Sequence, residues 1–150
     1  MIIRKAKEGD MEAIIKLGRD MYDESELQGM DFKEDRCRNY FLGLLATGLA
    51  IVSEIDGIVM GMFGAELQKH IFSNDYMTMD VLNYVVPERR GGSAAQRMIT
   101  VYIAWAKELK VKPCNIWLGI NAGINVDRTE RFYNKLGFNR SGVMMRLKEA

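Results

Sequence analysis

Two apolar runs separated by an Asp-Gly pair constrain the fold of this chain most strongly. The runs are Leu49–Ile55 and Ile58–Phe63, and Asp56-Gly57 lies between them. A two-residue hairpin turn of type I′ needs positive φ at both central residues, which Asp-Gly tolerates. The sequence therefore predicts an antiparallel pair of strands at this point.

Helical and strand patterns alternate around this hairpin. A strand is predicted at 2–6, followed by a helix with Gly9-Asp10 at its N-cap and Ile14, Leu17 and Met21 at helical spacing. The second helix is predicted from Asp31, with Glu34 completing a capping box, to Gly48. The remaining predictions are a loop at 68–75, a strand at 76–86, a helix after Arg90-Gly91-Gly92-Ser93, a strand at 115–120, a helix at 127–136 closed by Gly137, and a last strand at 143–147. This order predicts a mixed α/β (α+β) sheet, with residues 1–150 forming one domain.

Composition excludes several functional classes. The 150 residues are 48% apolar and 27% charged, which is typical of a globular protein. No apolar run approaches the ~20 residues that span a bilayer, and the N-terminus lacks the apolar core of a signal peptide, so a cytoplasmic protein without membrane contact is expected. Two cysteines, Cys37 and Cys114, and one histidine, His70, are too few for a disulfide scaffold or a structural zinc site without carboxylates, and no metal is expected. We interpret both cysteines as small buried apolar residues.

The charge is divided unevenly between the two halves of the chain. Residues 1–75 hold 9 Lys/Arg and 14 Asp/Glu (−5), whereas residues 76–150 hold 12 and 6 (+6), for a total of +1. The small total argues against nucleic-acid binding. An anion bound by the C-terminal half, or ordinary surface scatter, would each account for the division.

The segment from Val85 to Ala95 is the first that indicates chemistry. It ends a predicted strand, passes through Gly91-Gly92 and begins a helix. Glycines allow several backbone N–H groups to converge, and the helix dipole adds positive charge at the same point. The arrangement suits a pyrophosphate, although a plain glycine-rich turn would have the same pattern.

The second such segment is Arg131-Phe-Tyr-Asn-Lys-Leu-Gly-Phe138, in which Tyr133 lies one turn before the helix end. Taken alone, Tyr133 is better interpreted as a half-buried packing residue than as an acid. Within about 50 residues, however, the chain has the phosphate turn, a helix, a strand and this second helix in succession. This combination favours a catalytic role for Tyr133.

With these two segments the chain resembles the GNAT family, the Gcn5-related N-acetyltransferases, and in particular small single-domain phage and bacterial members. The resemblance implies a mostly antiparallel central sheet with a splayed strand pair and about four helices. It also implies acetyl-CoA as acyl donor, with its pyrophosphate on the backbone of Arg90, Gly91, Gly92, Ser93, Ala94 and Ala95. The backbone of Val85 and Val86 would bind the pantetheine arm, and Tyr133 would protonate the departing thiolate.

Three departures from the family pattern leave alternatives open. The phosphate motif fits as Arg89-x-x-Gly92-x-Ala94 or, with the usual spacing after Pro87, as Arg90-x-x-Ser93-x-Ala95, which we prefer. The family's glutamate base falls on Met79, and the adjacent Asp80 would replace it only if a bulge turned it to the same face. The cofactor-binding asparagine falls on Val126, so that Asn125 or Asn121 would serve, or neither.

The implied reaction is direct attack of a primary amine on the thioester. Asp80, His70 or a water chain would remove the proton from the amine, and Tyr133 with an ordinary pKa of ~10 would supply one to the thiolate. An acidic stretch from Asp20 to Asp35 would attract a cationic small-molecule or protein amine, or is a solvated loop. A homodimer is compatible with the sequence, and so is a non-catalytic protein that binds acyl-CoA and regulates a partner.

Overall fold

A computed structural model describes residues 1–148 of the chain. The strands are β1 (Ile2–Lys5), β2 (Leu49–Ile55), β3 (Ile58–Lys69), β4 (Tyr76–Val85) and β5 (Pro113–Trp117), and the helices are α1 (Met11–Glu24), α2 (Glu34–Thr47), α3 (Ala94–Glu108) and α4 (Val126–Lys135). The strands form one sheet in the order β1-β2-β3-β4-β5, antiparallel except for the parallel pair β4–β5. The predicted mixed α/β class, with a mostly antiparallel sheet, is confirmed.

The hairpin forms at the predicted turn. Asp56 and Gly57 have φ values of 51° and 80°, as a type I′ turn requires. Strand β3, however, continues to Lys69, well past the predicted end at Phe63, because its second half pairs with β4 from Tyr76 onward. The predicted loop at 68–75 is correspondingly shorter.

The sheet separates two apolar layers. Successive side chains of a strand point to opposite faces, so the neighbours Ile51 and Val52 in β2 belong to different layers. On one face α1 and α2 bury Met11, Ile14, Leu17, Phe41 and Leu44. On the other face α3 buries Ala94, Met98, Ile99, Tyr102 and Ala106, and α4 adds Tyr133.

Two predicted helix starts differ in detail. Asp10 immediately precedes α1, but its carboxylate accepts bonds from the Arg4 guanidinium (2.7 and 2.8 Å) instead of capping the helix. Helix α2 begins at Glu34 and not at Asp31, without a capping box. Before the helix, the Phe32 ring packs against Tyr22 of α1 (5.5 Å between centroids), a contact with a residue ten positions away that the capping-box pattern does not include.

The predicted last strand at 143–147 is wrong. Residues 138–147 have no regular secondary structure, and Val143, Met144 and Met145 are 69–85% exposed. Ion pairs tie the segment elsewhere, since Arg140 binds Glu130 and Arg146 lies 3.6 Å from Glu26. Within residues 1–148, no helix has the length and apolar character needed to span a membrane.

Candidate active site

Strands β4 and β5 separate after a short parallel pairing, and a cavity lies between them. Pairing covers only Tyr76–Met79 of β4, whereas β4 itself continues to Val85 against β3. The cavity has a volume of about 520 Å³ and lies between the diverging strands, the start of α3 and one side of α4. At the point of divergence the carboxylate of Asp80 accepts the N–H of Gly119 (2.6 Å), and so bridges the two strands by a side chain.

A β-bulge in β4 determines which side chains face this cavity. Leu82 pairs with Gly64 and Asp80 with Ala65, which leaves Val81 without a partner. An extra residue reverses the alternation of faces along a strand. Asp80 is therefore in phase with Val85, on the face covered by α3 and α4, and out of phase with Tyr84, which packs against α1. The bulge meets the condition under which the sequence allowed Asp80 as a base.

The Asp80 side chain is half-buried at the side of the cavity. Burial raises its pKa to about 6, against an opposing contribution from the N–H of Gly119. At neutral pH the group is mainly a carboxylate, but one that takes up a proton far more readily than an exposed aspartate. Such a group is suited to accept a proton from a bound amine.

Tyr133 reaches the same cavity from α4. The Nδ2 of Asn83 donates to its hydroxyl oxygen (3.4 Å), so the hydroxyl proton remains available for a bond into the cavity. Burial, the largest effect, and the nearby charge of Asp80 raise the pKa of Tyr133 to about 12, whereas the bond from Asn83 lowers it. The phenol is thus protonated over the whole physiological range.

The end of α4 holds Tyr133 in place. The N–H groups of Leu136 and Phe138 both donate to the Tyr133 carbonyl (3.0 and 3.1 Å), and Gly137 has the positive φ of 92° that this helix end requires. Sequence analysis predicted Gly137 and Tyr133 but not Asn83, because the contact between Asn83 and Tyr133 spans 50 residues and depends on the bulge.

The turn before α3 presents free backbone donors to the other end of the cavity. Within the described chain, the N–H groups of 91–96 have no hydrogen-bond acceptor, whereas that of Arg90 donates to the Pro87 carbonyl (3.2 Å) and that of Arg97 to Ser93 (2.9 Å). Gly91 has φ of 83°, a conformation that favours glycine. This set of N–H groups at a helix N-terminus is suited to bind an anion.

The other predicted donor-binding residues are placed as follows. Gly91, Gly92, Ala95 and Asn125 line the cavity, as does the alternative Asn121, while Ser93 and Ala94 face a smaller pocket of about 170 Å³. Asn125 has a left-handed conformation, with φ of 45°, immediately before α4. The N–H of Val86 already donates to the Met60 carbonyl (3.0 Å), so it is Val85 whose backbone faces the gap.

The Arg90 side chain is bound elsewhere than at the turn. Its guanidinium pairs with the carboxylate of Glu24 at the end of α1 (Nη2–Oε2 2.6 Å), and its Nε donates to the Val85 carbonyl (2.8 Å). The Tyr84 hydroxyl donates to the same carboxylate (3.1 Å). The Arg90 guanidinium holds the pKa of Glu24 below its usual range, so this pair adds little net charge to the cavity.

Most of the acidic stretch from Asp20 to Asp35 is neutralised in the same way. Five of its carboxylates lie within 4.0 Å of a basic side chain: Asp20, Glu24, Glu26, Asp31 and Glu34. The attraction of a cation to this stretch is accordingly weaker than the sequence alone predicts.

The side chains of His70 and Cys37 do not line the cavity. The Nδ1 of His70 accepts the N–H of Phe72 (3.2 Å) in the β3–β4 loop. Burial raises the pKa of the Cys37 thiol on α2, which makes it a poor nucleophile. The Cys114 side chain lies outside the described residues. In the part of the chain that is described, no three His, Cys, Asp or Glu side chains come together around a possible metal ion.

Comparison with known proteins gives structural likeness only. No family model and no curated protein matches the sequence. An aminoglycoside antibiotic 6′-N-acetyltransferase from Acinetobacter haemolyticus is similar over 99% of this chain and 97% of its own, with a TM-score of 0.73 and 18% identity. A predicted acetyltransferase from Clostridium acetobutylicum, solved with acetyl-CoA, is similar over 98% of this chain and 95% of its own, with a TM-score of 0.73 and 20% identity. A ribosomal-protein-alanine N-acetyltransferase from Brucella melitensis biovar Abortus is similar over 99% of each chain, with a TM-score of 0.72 and 16% identity. At these identities the likeness shows a shared fold.

Proposed function

We propose that this chain, which has the fold of the GNAT acetyltransferases, transfers an acetyl group from acetyl-CoA to a primary amine. One observation carries the proposal. A single cavity is lined at one end by the free N–H groups of the turn and elsewhere by Asp80 and Tyr133. A diphosphate-bearing thioester that lies along β4 would reach from the first feature to the second.

The turn fits the diphosphate of the donor. The unpartnered N–H groups of 91–96 and the positive end of the α3 dipole complement two phosphate charges without help from the Arg90 side chain. From there the pantetheine arm would follow the unpaired edge of β4. The Val85 N–H faces this gap and is suited to bind either an amide of the arm or the carbonyl oxygen of the thioester.

Asp80 and Tyr133 would divide the proton transfers. The amine nitrogen attacks the thioester carbonyl, so that a C–N bond forms and the C–S bond breaks. Asp80 receives the proton that the amine loses, directly or through water, and Tyr133 gives its proton to the departing thiolate. Burial raises both pKa values, to about 6 and about 12, so that at neutral pH the carboxylate can accept a proton while the phenol still holds one.

The acceptor is proposed at the level of a primary amine, small or protein-bound. The two N-acetyltransferases named above act, by their names, on an aminoglycoside and on the alanine of a ribosomal protein. These acceptors differ widely in size, so fold likeness does not distinguish between them.

Thermal melting with acetyl-CoA, CoA and ATP tests the donor first. At ~100 times its dissociation constant, a ligand specific for the native state adds ~2.7 kcal/mol, which raises Tm by several degrees. We expect this shift with acetyl-CoA and CoA but not with ATP. A panel of amines assayed for thiol release then tests turnover.

Two negative results would have different meanings. Absence of a shift at millimolar acetyl-CoA would overturn the proposed donor. Binding without thiol release from any amine class would overturn catalysis and would favour the alternative of a regulatory acyl-CoA-binding protein.

A further inference from the structure

A polar side chain, that of Asn83, points into the apolar layer that α3 and α4 cover. Asn83 pairs across the sheet with Phe63 and lies two residues before Val85 in β4, and both of these residues belong to that layer. Cross-strand partners and alternate residues of a strand point to the same face, so the Asn83 side chain does as well. An apolar residue would suit this position better, because a carboxamide loses its hydrogen bonds to water there.

The fold satisfies only part of the Asn83 carboxamide. Its Nδ2 donates to the Tyr133 hydroxyl at 3.4 Å, whereas its Oδ1 is buried and has no hydrogen-bond donor within the described chain. A buried acceptor without a partner destabilises the folded state. The bond to Tyr133 is also longer than the usual N–H···O distance of about 2.9–3.0 Å, so it returns little stability. Packing alone therefore does not account for an asparagine at this position.

The bond from Asn83 becomes stronger when Tyr133 loses its proton. In the proposed reaction the Tyr133 O–H bond breaks and an S–H bond forms on the departing thiolate, which leaves a phenolate in a buried position. A hydrogen bond to an ionised oxygen is shorter than one between neutral groups and roughly twice as strong. The pKa of Tyr133 responds in the same sense, since burial raises it and the bond from Asn83 lowers it. Asn83 thus stabilises the reacting phenol more than the resting one.

The same bond orients the hydroxyl proton of Tyr133. Because Nδ2 of Asn83 occupies one acceptor position of the hydroxyl oxygen, the O–H bond points away from Asn83. Both residues line the cavity, so the directions that remain include the space in which the thiolate would lie.

We propose that Asn83 is a positioning residue for the general acid: its N–H group directs the Tyr133 proton to the departing sulfur and stabilises the phenolate that is left. This inference rests on the proposed function, and it adds a residue that acts through Tyr133 without touching the substrate. Tyr133 then regains a proton from solvent. The unpartnered Oδ1 follows from the need to present a donor, and not an acceptor, to the phenol.

A double-mutant cycle tests the proposal in the thiol-release assay, with the amine of the panel that is turned over fastest. Tyr133→Phe removes the acid, Asn83→Leu removes the donor, and a third protein carries both substitutions. We expect Asn83→Leu to lower kcat about tenfold while the affinity for acetyl-CoA, measured by titration, stays within about threefold. In the Tyr133→Phe background the same substitution should change kcat by less than about twofold, because no hydroxyl proton is left to direct.

Two further variants complete the experiment. Asn83→Ala removes the same donor without adding bulk and should give the same cycle, so the result does not depend on how leucine packs. Asn74→Ala changes an exposed asparagine in the β3–β4 loop, outside the cavity, and is the matched control. It should leave kcat unchanged.

Each other outcome has a definite meaning. If Tyr133→Phe is impaired and the Asn83 variants are not, the inference alone is overturned. Effects of the two substitutions that multiply would show that Asn83 acts independently of Tyr133, and a tenfold loss of acetyl-CoA affinity would show that it holds the donor; either result would also overturn the inference. Absence of acetyl-CoA binding or of thiol release in the wild-type chain would overturn the proposed function itself, and the inference with it.

Discussion

The substitution Asp80→Asn should make the protein more stable at neutral pH while it removes activity. The environment of Asp80 raises its pKa from 3.8 to about 6. At 1.36 kcal/mol per pKa unit, keeping this carboxyl ionised in the folded state costs about 3 kcal/mol. Asparagine has nearly the same shape and keeps an oxygen that can accept the Gly119 N–H, but it carries no charge.

The pH dependence identifies the cause of this gain. Between pH 3.8 and about 6, the folded wild-type protein retains a proton that the unfolded chain has released. Its free energy of unfolding therefore falls as pH rises through this window and stays lower above it. The asparagine variant lacks this loss. Its advantage over wild type should grow from near zero at about pH 3.5 to about 3 kcal/mol near pH 7.5.

Urea unfolding of both proteins at the two pH values measures this difference. Other carboxylates, such as that of Asp10, titrate alike in both proteins and cancel from the comparison. Asp35→Asn on the exposed surface of α2 is the control, and it should change the free energy of unfolding by no more than about 1 kcal/mol. In the thiol-release assay Asp80→Asn should lower kcat by about 100-fold or more. A stability difference that does not vary with pH, or a variant less stable than wild type near pH 7.5, would refute the reasoning.

Three further predictions concern the acid, the turn and the C-terminal segment. Tyr133→Phe should keep the affinity for CoA within about threefold by titration and lower turnover about tenfold or more, and unchanged turnover would remove this hydroxyl from the mechanism. Gly92→Asp should weaken acetyl-CoA binding about tenfold or more. The control Gly92→Ala, whose Cβ would lie 3.5 Å from the nearest atom, should bind acetyl-CoA normally. Equal affinity of both variants would show that the turn is not the diphosphate site. Under mild peroxide, mass spectrometry should find Met144 and Met145 (75% and 85% exposed) oxidised before the buried Met98, and the reverse order would contradict an exposed segment.

The features that sequence analysis predicted correctly are those decided by neighbouring residues. The hairpin turn depends on the positive φ of Asp56-Gly57, and the end of α4 depends on Gly137, whose backbone allows the closing bonds to the Tyr133 carbonyl. The helix predicted after Ser93 is observed as α3, and its buried residues are likewise close together in the sequence. In each case the residues that determine the local structure are close together in the sequence, so the sequence pattern alone is enough to predict that structure.

The features that it missed depend on contacts between distant segments. The ion pair of Arg90 with Glu24 joins residues 66 positions apart, and it removes from the turn a charge that the motif places there. Before α2, which begins three residues later than predicted, Phe32 packs on Tyr22 of α1. The apolar run at 143–147 has strand propensity but no pairing in the fold, because propensity without a partner does not determine a strand.

The bulge at Val81 accounts for both the shape and the chemistry of the cavity. Because of it, Asp80 lies on the α3–α4 face at the point where β4 and β5 separate, and its carboxylate takes the N–H of Gly119. At this position the carboxyl is partly shielded from solvent, which raises its pKa to about 6. One side chain thus bridges the open strand pair and is tuned to exchange a proton near neutral pH.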